Sequence, residues 1–430
     1  MLRPRIGLLL LTVFASGLVS SCGRSQTMNA PDPASAVAWV EMTGQGAEAR
    51  ISSPDGRCPD AVIDGQAQPM SLRAPASADF PAICAIRPPR GATHLSIGDR
   101  MLPLPHDAPN RIVIIGDTGC RIQGLDAQSC NDPQSWPFPA VAAQAAREAP
   151  DLVIHVGDYY YRENACPLTG RCGGSPFGDH WPTWRAEFFD PAAPLLARAP
   201  MVFVRGNHEE CRRGGTGWFR LLEAGSWRPV CGGLSDPFVV QLGSLILGVV
   251  DSSDAQDRAV PHEALSDMAH QFETLDAKLE ARDAFLLTHR PIWAMVPAAR
   301  LGPAGLISVA VNRTEQAAAR DHISDGVKMI ISGHIHHFAA YDFGPQRPAQ
   351  LVAGEGGDEP LPADRPRFDH TAAVIDGMPA RRLSFARYGY VLMIRSGTDW
   401  RIEAHEVDGS IAAACRLSGR RLTCDTLGRP

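Results

Sequence analysis

The chain has 430 residues, 44% hydrophobic and 20% charged, the balance of an ordinary globular protein able to bury a sizeable core. Its formal net charge of -6 offers no basic field to a nucleic-acid backbone, which argues against nucleic acid as a partner. With 36 prolines and 40 glycines it should be rich in turns, and loop-rich folds tend to carry their chemistry at strand ends.

In chain order, the first residues read as an export signal. Arg3 and Arg5 precede an apolar run from Ile6 to Val19, closed by Ser20, Ser21 and Cys22. That run is shorter than the ~20 apolar residues a membrane-spanning helix needs. Val19-Ser20-Ser21-Cys22 resembles a bacterial lipobox. Residues 1–21 are therefore expected to be a lipoprotein-type signal peptide, with a lipidated Cys22 as membrane anchor; a cleaved signal followed by an incidental cysteine is the alternative. Residues 22–36, polar and small, read as a tether. Residues 37–107 alternate short apolar runs such as Ala38-Trp39-Val40, Ala61-Val62-Ile63 and Ile83-Cys84-Ala85-Ile86 with turn signals. This is the pattern of a small β-rich domain.

From Arg111 the pattern changes. Ile112–Ile115, Leu152–Val156, Met201–Val204, Phe285–Leu287 and Met329–Ile331 are buried-type strands. Each is followed within a few positions by an Asp, Asn or His. Between them, Val141–Glu148 and Glu263–Ala281 repeat apolar residues at helical spacing. Strands alternating with helices predict an α/β architecture whose site gathers beyond the strand ends. Residues 108–410 are taken as the catalytic domain. Tyr390–Ile394 and Trp400–Glu406 read as closing strands, and 411–430 as a disulfide-stapled tail.

Eleven cysteines, with Cys22 set aside, leave ten in local pairs. The expected bridges are 58–84, 120–130, 166–172, 211–231 and 415–424, although sequence leaves connectivity open. No C-x-x-C spacing suggests a zinc site, so the cysteines point to an oxidising compartment and an exported protein, periplasmic or on the cell surface.

One Gly-Asp or one histidine after a strand proves little, because most are turns or packed residues. Five in a row, offering carboxylate, amide, phenol and imidazole donors without thiolate, suit iron, manganese or zinc. The series Gly116-Asp117-Thr118-Gly119, Gly157-Asp158-Tyr159-Tyr160-Tyr161, Gly206-Asn207-His208-Glu209, Leu286-Leu287-Thr288-His289 and Gly333-His334-Ile335-His336 resembles the five blocks of purple acid phosphatases. These belong to the calcineurin-like metallophosphoesterases. Most of that superfamily has Asp-x-His in the first block. Here the third position is Gly119, and Tyr161 stands three residues after Asp158, as in the purple subfamily.

The resemblance implies a central β-sandwich flanked by helices, preceded by the small β-rich unit. It assigns Asp117, Asp158, Tyr161 and His336 to an Fe(III) ion. Asp158 would bridge to a divalent ion (Fe, Zn or Mn) also held by Asn207, His289 and His334. His208 would be the acid for the leaving group, and Glu209 would either orient that imidazole or lie on the surface. The implied activity is hydrolysis of small-molecule phosphate monoesters by a metal-bound hydroxide. A phosphodiesterase using the same site, or a catalytically silent phosphate- or partner-binding surface lipoprotein, remain the alternatives. His155 and His337 are read as packed histidines, while His180, Trp181 and Trp184 could either face substrate or pack.

Overall fold

The computed structural model describes residues 36–279, 283–300, 306–320, 322–361 and 365–426. The expected signal peptide, Cys22 and nearly all of the tether lie outside these residues.

Two sheets stack face to face. One has eleven strands and the other eight. The centre of the first is a parallel trio, Arg111–Ile115, Leu152–His155 and Met201–Phe203, paired in register as Ile115 to His155 and His155 to Phe203. In the second sheet Leu245–Val249, Ala284–Leu287, Val327–Ser332 and Ala349–Ala353 run parallel.

The continuous apolar runs follow from this layering, since each central strand is covered on both faces. Ile112, Ile114, Leu152, Ile154 and Val202 meet Leu247, Phe285, Leu287, Met329 and Ile331 in the core between the sheets. The alternate residues Val113, Ile115, Val153 and Phe203 pack outward under the helix Phe138–Arg147, which buries Phe138, Val141, Ala142 and Ala145 at helical spacing. On the opposite face Ile246, Leu286 and Ile330 lie under Met268, Phe272 and Leu275 of the helix His262–Leu279.

Segment 37–107 contributes four strands to the first sheet. Ala38–Thr43 pairs in parallel with Met201–Phe203, and Gly46–Ser53, Ala82–Ile86 and Ser71–Ala74 continue outward. Its remaining strands form a four-stranded sheet of their own. On the other side of the trio, Gly389–Ser396 lies antiparallel to Arg111–Ile115, followed by Asp399–Glu406, Ile411–Ser418 and Arg421–Thr426.

All five expected disulfides are present: Cys58–Cys84, Cys120–Cys130, Cys166–Cys172, Cys211–Cys231 and Cys415–Cys424. Five bridges mark an oxidising compartment. Among the described residues no helix is long and apolar enough to cross a membrane.

Candidate metal centre

The trio in one sheet and Ala284–Leu287 and Val327–Ser332 in the other all end at one rim of the sandwich, and the five blocks are the turns that follow. Three residues there hold the left-handed backbone that non-glycine residues avoid: Asp117 (φ 55°), Asp158 (φ 60°) and His334 (φ 68°). Such strain costs about 1–3 kcal/mol per residue and concentrates at functional sites.

Tyr161 links one half of the cluster. Its hydroxyl lies 3.3 Å from Asp117 Oδ1, 3.0 Å from Asp158 Oδ2 and 3.1 Å from His336 Nε2. His336 Nδ1 faces the Glu359 carbonyl at 3.2 Å and Asp358 Oδ2 at 3.3 Å. Donating its proton there leaves the Nε2 lone pair turned inward. Arg121 pairs with Asp358 and lies over the Tyr161 ring.

His289 organises the other half. Its Nδ1 is 2.8 Å from the Val156 carbonyl, and its Nε2 is 3.1 Å from Asn207 Oδ1 and 3.2 Å from Asp158 Oδ2. His334 turns Nε2 to Asp257 Oδ1 at 3.2 Å and to Arg290 at 2.9 Å. One donor atom each of Asp158, His289 and His334 falls within 4.8 Å of the others. Asp158 Oδ2 is thus in reach of both halves.

Of these side chains, Asp158, His289 and His334 lie close enough together to hold a cation, and the charges around them suit one. Burial and the Asp158 charge push the Asp117 carboxyl well above its usual range. Burial would also raise Asp158, but His289 and His208 beside it hold it well below. Burial, then Asp158 and Asp117, raise the Tyr161 phenol. Burial lowers His336, and burial together with Arg290 lowers His334 to about 3. Neutral imidazoles facing crowded carboxylates and a phenol form a donor set that positive charge would complete.

Gly119 explains the departure from Asp-x-His. A Cβ there would stand 2.5 Å from Tyr161 Cδ2 and 3.0 Å from Glu187 Oε1. Tyr161 occupies the space a side chain at 119 would need.

His208 is buried against the Tyr161 ring, with centroids 3.7 Å apart and the planes tilted by 33°. Its orienting carboxylate is Glu163, with Oε1 3.0 Å from Nδ1, and Arg213 bonds both Glu163 and the imidazole. Neither role expected for Glu209 is found. It is fully buried and accepts the backbone N–H groups of Asp158, Tyr159, Tyr160 and Gly206, fastening the second block to the third. The imidazole's true partners sit five residues after Asp158 and five after His208, a spacing with no meaning until the loops fold.

The remaining candidates pack. His155 is buried, stacks on Tyr159 at 3.9 Å and bonds Thr118 Oγ1 at 2.9 Å. His337 is buried and lowered to about 3 by burial. Trp181 and Trp184 are buried, Trp184 bonding Asp179 at 2.8 Å, and His180 Nδ1 is 3.2 Å from Thr183 Oγ1.

A family model for calcineurin-like phosphoesterases matches residues 110–338, more than half of the chain. The chain belongs to that family. It is a metallophosphoesterase, a metal-binding hydrolase of phosphoesters, and the five blocks lie within the matched span. Its fold is that of the purple acid phosphatases. The PPD1 enzyme isolated from yellow lupin (Lupinus luteus) seeds is 13% identical, with a TM-score of 0.53, over 89% of this chain and 74% of that one. A structure of PhoD is 10% identical, with a TM-score of 0.56, over 92% of each chain. At such identities the likeness is one of fold. No curated protein matches the chain.

Proposed function

We propose that this metallophosphoesterase hydrolyses phosphate monoesters at a two-metal centre. In this reading Asp117, Asp158, Tyr161 and His336 hold Fe(III), and Asp158, Asn207, His289 and His334 hold a divalent ion. The observation that carries the reading is the Tyr161 hydroxyl, within 3.3 Å of all three partners assigned to the same ion. Two such cations would supply a nucleophilic water and offset charge on the phosphoryl oxygens.

The chain's own groups complete the reaction. Water oxygen bonds to phosphorus, the ester P–O bond breaks, and the leaving alkoxide takes a proton from His208. Glu163 and Arg213 hold that imidazole in place; burial lowers its pKa against the pull of Asp158 and Glu163, which makes it readier to give its proton up. Buried Glu209 keeps the second and third blocks in fixed relation.

The visible spectrum of the oxidised holoenzyme tests the iron assignment. A tyrosinate on Fe(III) gives a broad charge-transfer band, which Tyr161→Phe should abolish. A band that survives the substitution would overturn the assignment of Tyr161. His208→Ala should keep both metals and lose about 10²–10⁴-fold in turnover, the usual worth of a positioned acid. Unchanged turnover would remove His208 from the mechanism. The five disulfides and the signal-type N-terminus further support an exported, lipid-anchored protein. Cys22→Ser should then move the protein from the membrane to the soluble fraction, and unchanged fractionation would refute the anchor.

A further inference from the structure

The second block carries Asp158 and Tyr161 on a stretch whose backbone N–H groups turn to buried carboxylates. Glu209 accepts those of Asp158, Tyr159 and Tyr160 at 2.8–3.0 Å. Glu187 accepts the next two, Tyr161 at 3.0 Å and Arg162 at 3.1 Å. Five successive donors are held by two side chains, as an anion is held in a concavity of backbone N–H groups. Bonds to an ionised acceptor are roughly twice as strong as neutral ones.

Each glutamate also ties in a neighbouring block. Glu209 accepts the Gly206 N–H at 2.9 Å, joining the second block to the third. Glu187 accepts the Cys120 N–H at 2.9 Å, joining the first to the second. In the two-metal reading Asp117 and Tyr161 serve the first ion and come from the first and second blocks. Asp158 and Asn207 serve the second ion and come from the second and third. The two clasps divide the centre between them.

Glu187 lies outside all five blocks, on a single π-helical turn, Arg185–Phe189, an irregularity frequent at functional sites. It is fully buried. Its neighbours pin the turn, since Phe188 packs edge-on to Tyr159 with centroids 5.0 Å apart and Phe189 lies 4.8 Å from Trp39. We infer that Glu187 is a positioning residue for the first ion. Without touching that ion, it fixes the backbone from which Tyr161 projects, so that the hydroxyl meets Asp117, Asp158 and His336. The inference rests on the two-metal reading and deepens it.

The test is the metal affinity and visible spectrum of the whole protein, reconstituted with iron plus zinc and with zinc alone. Glu187→Gln keeps the size but replaces one accepting oxygen with an amide donor. It should weaken the first ion about 10–100-fold, the usual cost of losing a group that supports a ligand. The second ion should bind as in wild type, and the tyrosinate band should shift or fade. Asp179→Asn is the control. It changes a carboxylate on the preceding turn that bonds Trp184 and Gly217 rather than the second block, and should leave both ions and the band intact. Beside Tyr161→Phe, Glu187→Gln should lose most of its effect, because the hydroxyl it positions is gone, whereas a purely structural role would add in full. Should Glu187→Gln not fold, Glu187→Asp, one methylene shorter with its charge kept, carries the same comparison. Equal loss of both ions, a wild-type spectrum with both ions bound, or an undiminished effect beside Tyr161→Phe would overturn the role. If wild type is colourless with two zinc ions, the iron assignment alone falls, and selective loss of one zinc in Glu187→Gln still supports the role while equal loss overturns it. A wild type that binds no metal ion would overturn both.

Discussion

Asp158→Asn should abolish most activity, by about 10³-fold or more, and lower the bound metal from two ions per chain to one or none. The carboxylate Oδ2 is 3.0 Å from the Tyr161 hydroxyl and 3.2 Å from His289 Nε2, in reach of both halves of the donor set. Asparagine matches its size but carries no charge, so two cations held close together would repel one another without their shared anion. Metal ions contribute several kcal/mol of transition-state stabilisation, and each 1.36 kcal/mol is tenfold in rate. The substitution should spare the fold. Asp158 Oδ1 accepts the His208 N–H at 2.9 Å, and an amide oxygen can accept it too. Metal analysis and kcat/KM on p-nitrophenyl phosphate check the result together. A variant with two ions and near-normal turnover would remove Asp158 from the bridging position.

Glu355→Gln should stabilise the protein at neutral pH, by up to about 3 kcal/mol, while leaving it unchanged in acid. Glu355 is 3% exposed, and neither carboxylate oxygen has a hydrogen-bond partner. Burial pushes its pKa from 4.5 up to about 8. The folded protein therefore keeps a proton that the unfolded chain releases at a lower pH. This group's favourable contribution is complete below the unfolded value and is lost as pH rises through the folded one, with the window running from about 4.5 to 8. Near pH 7 the difference spans roughly 2.5 pKa units, or about 3 kcal/mol at 1.36 each. Glutamine cannot ionise and removes the dependence. Urea unfolding of both proteins in chelator, at pH 4.5 and pH 7.5, measures it. A stability difference that does not vary between the two pH values would show that Glu355 is not held as a neutral acid.

The site was legible in outline because of how its strands are buried. Ile112–Ile115, Leu152–His155 and Met329–Ile331 are covered on both faces, so each appears as an unbroken apolar run, and the first polar residues past it stand out. What surrounds the site was not legible. Glu163 and Arg213 reach His208 through loop geometry. Asp257 and Arg290 meet at His334 from loops 33 residues apart. Glu209 is hidden by identity, since a glutamate beside a histidine looks like its partner until its four backbone donors are seen. The place of Ala38–Thr43 was equally obscure. Its short apolar run announces a strand, but pairing with Met201–Phe203 depends on register across a long stretch of chain, which local pattern does not encode.

The close fit of Gly119 against Tyr161 also limits which single substitutions this rim tolerates. A Cβ at 119 would fall 2.5 Å from the tyrosine ring, 3.0 Å from Glu187 Oε1 and 3.0 Å from the Tyr159 carbonyl. A side chain placed at 119 therefore has to move the ring, the carboxylate or the backbone of the second block, and the first and second blocks can only be changed together.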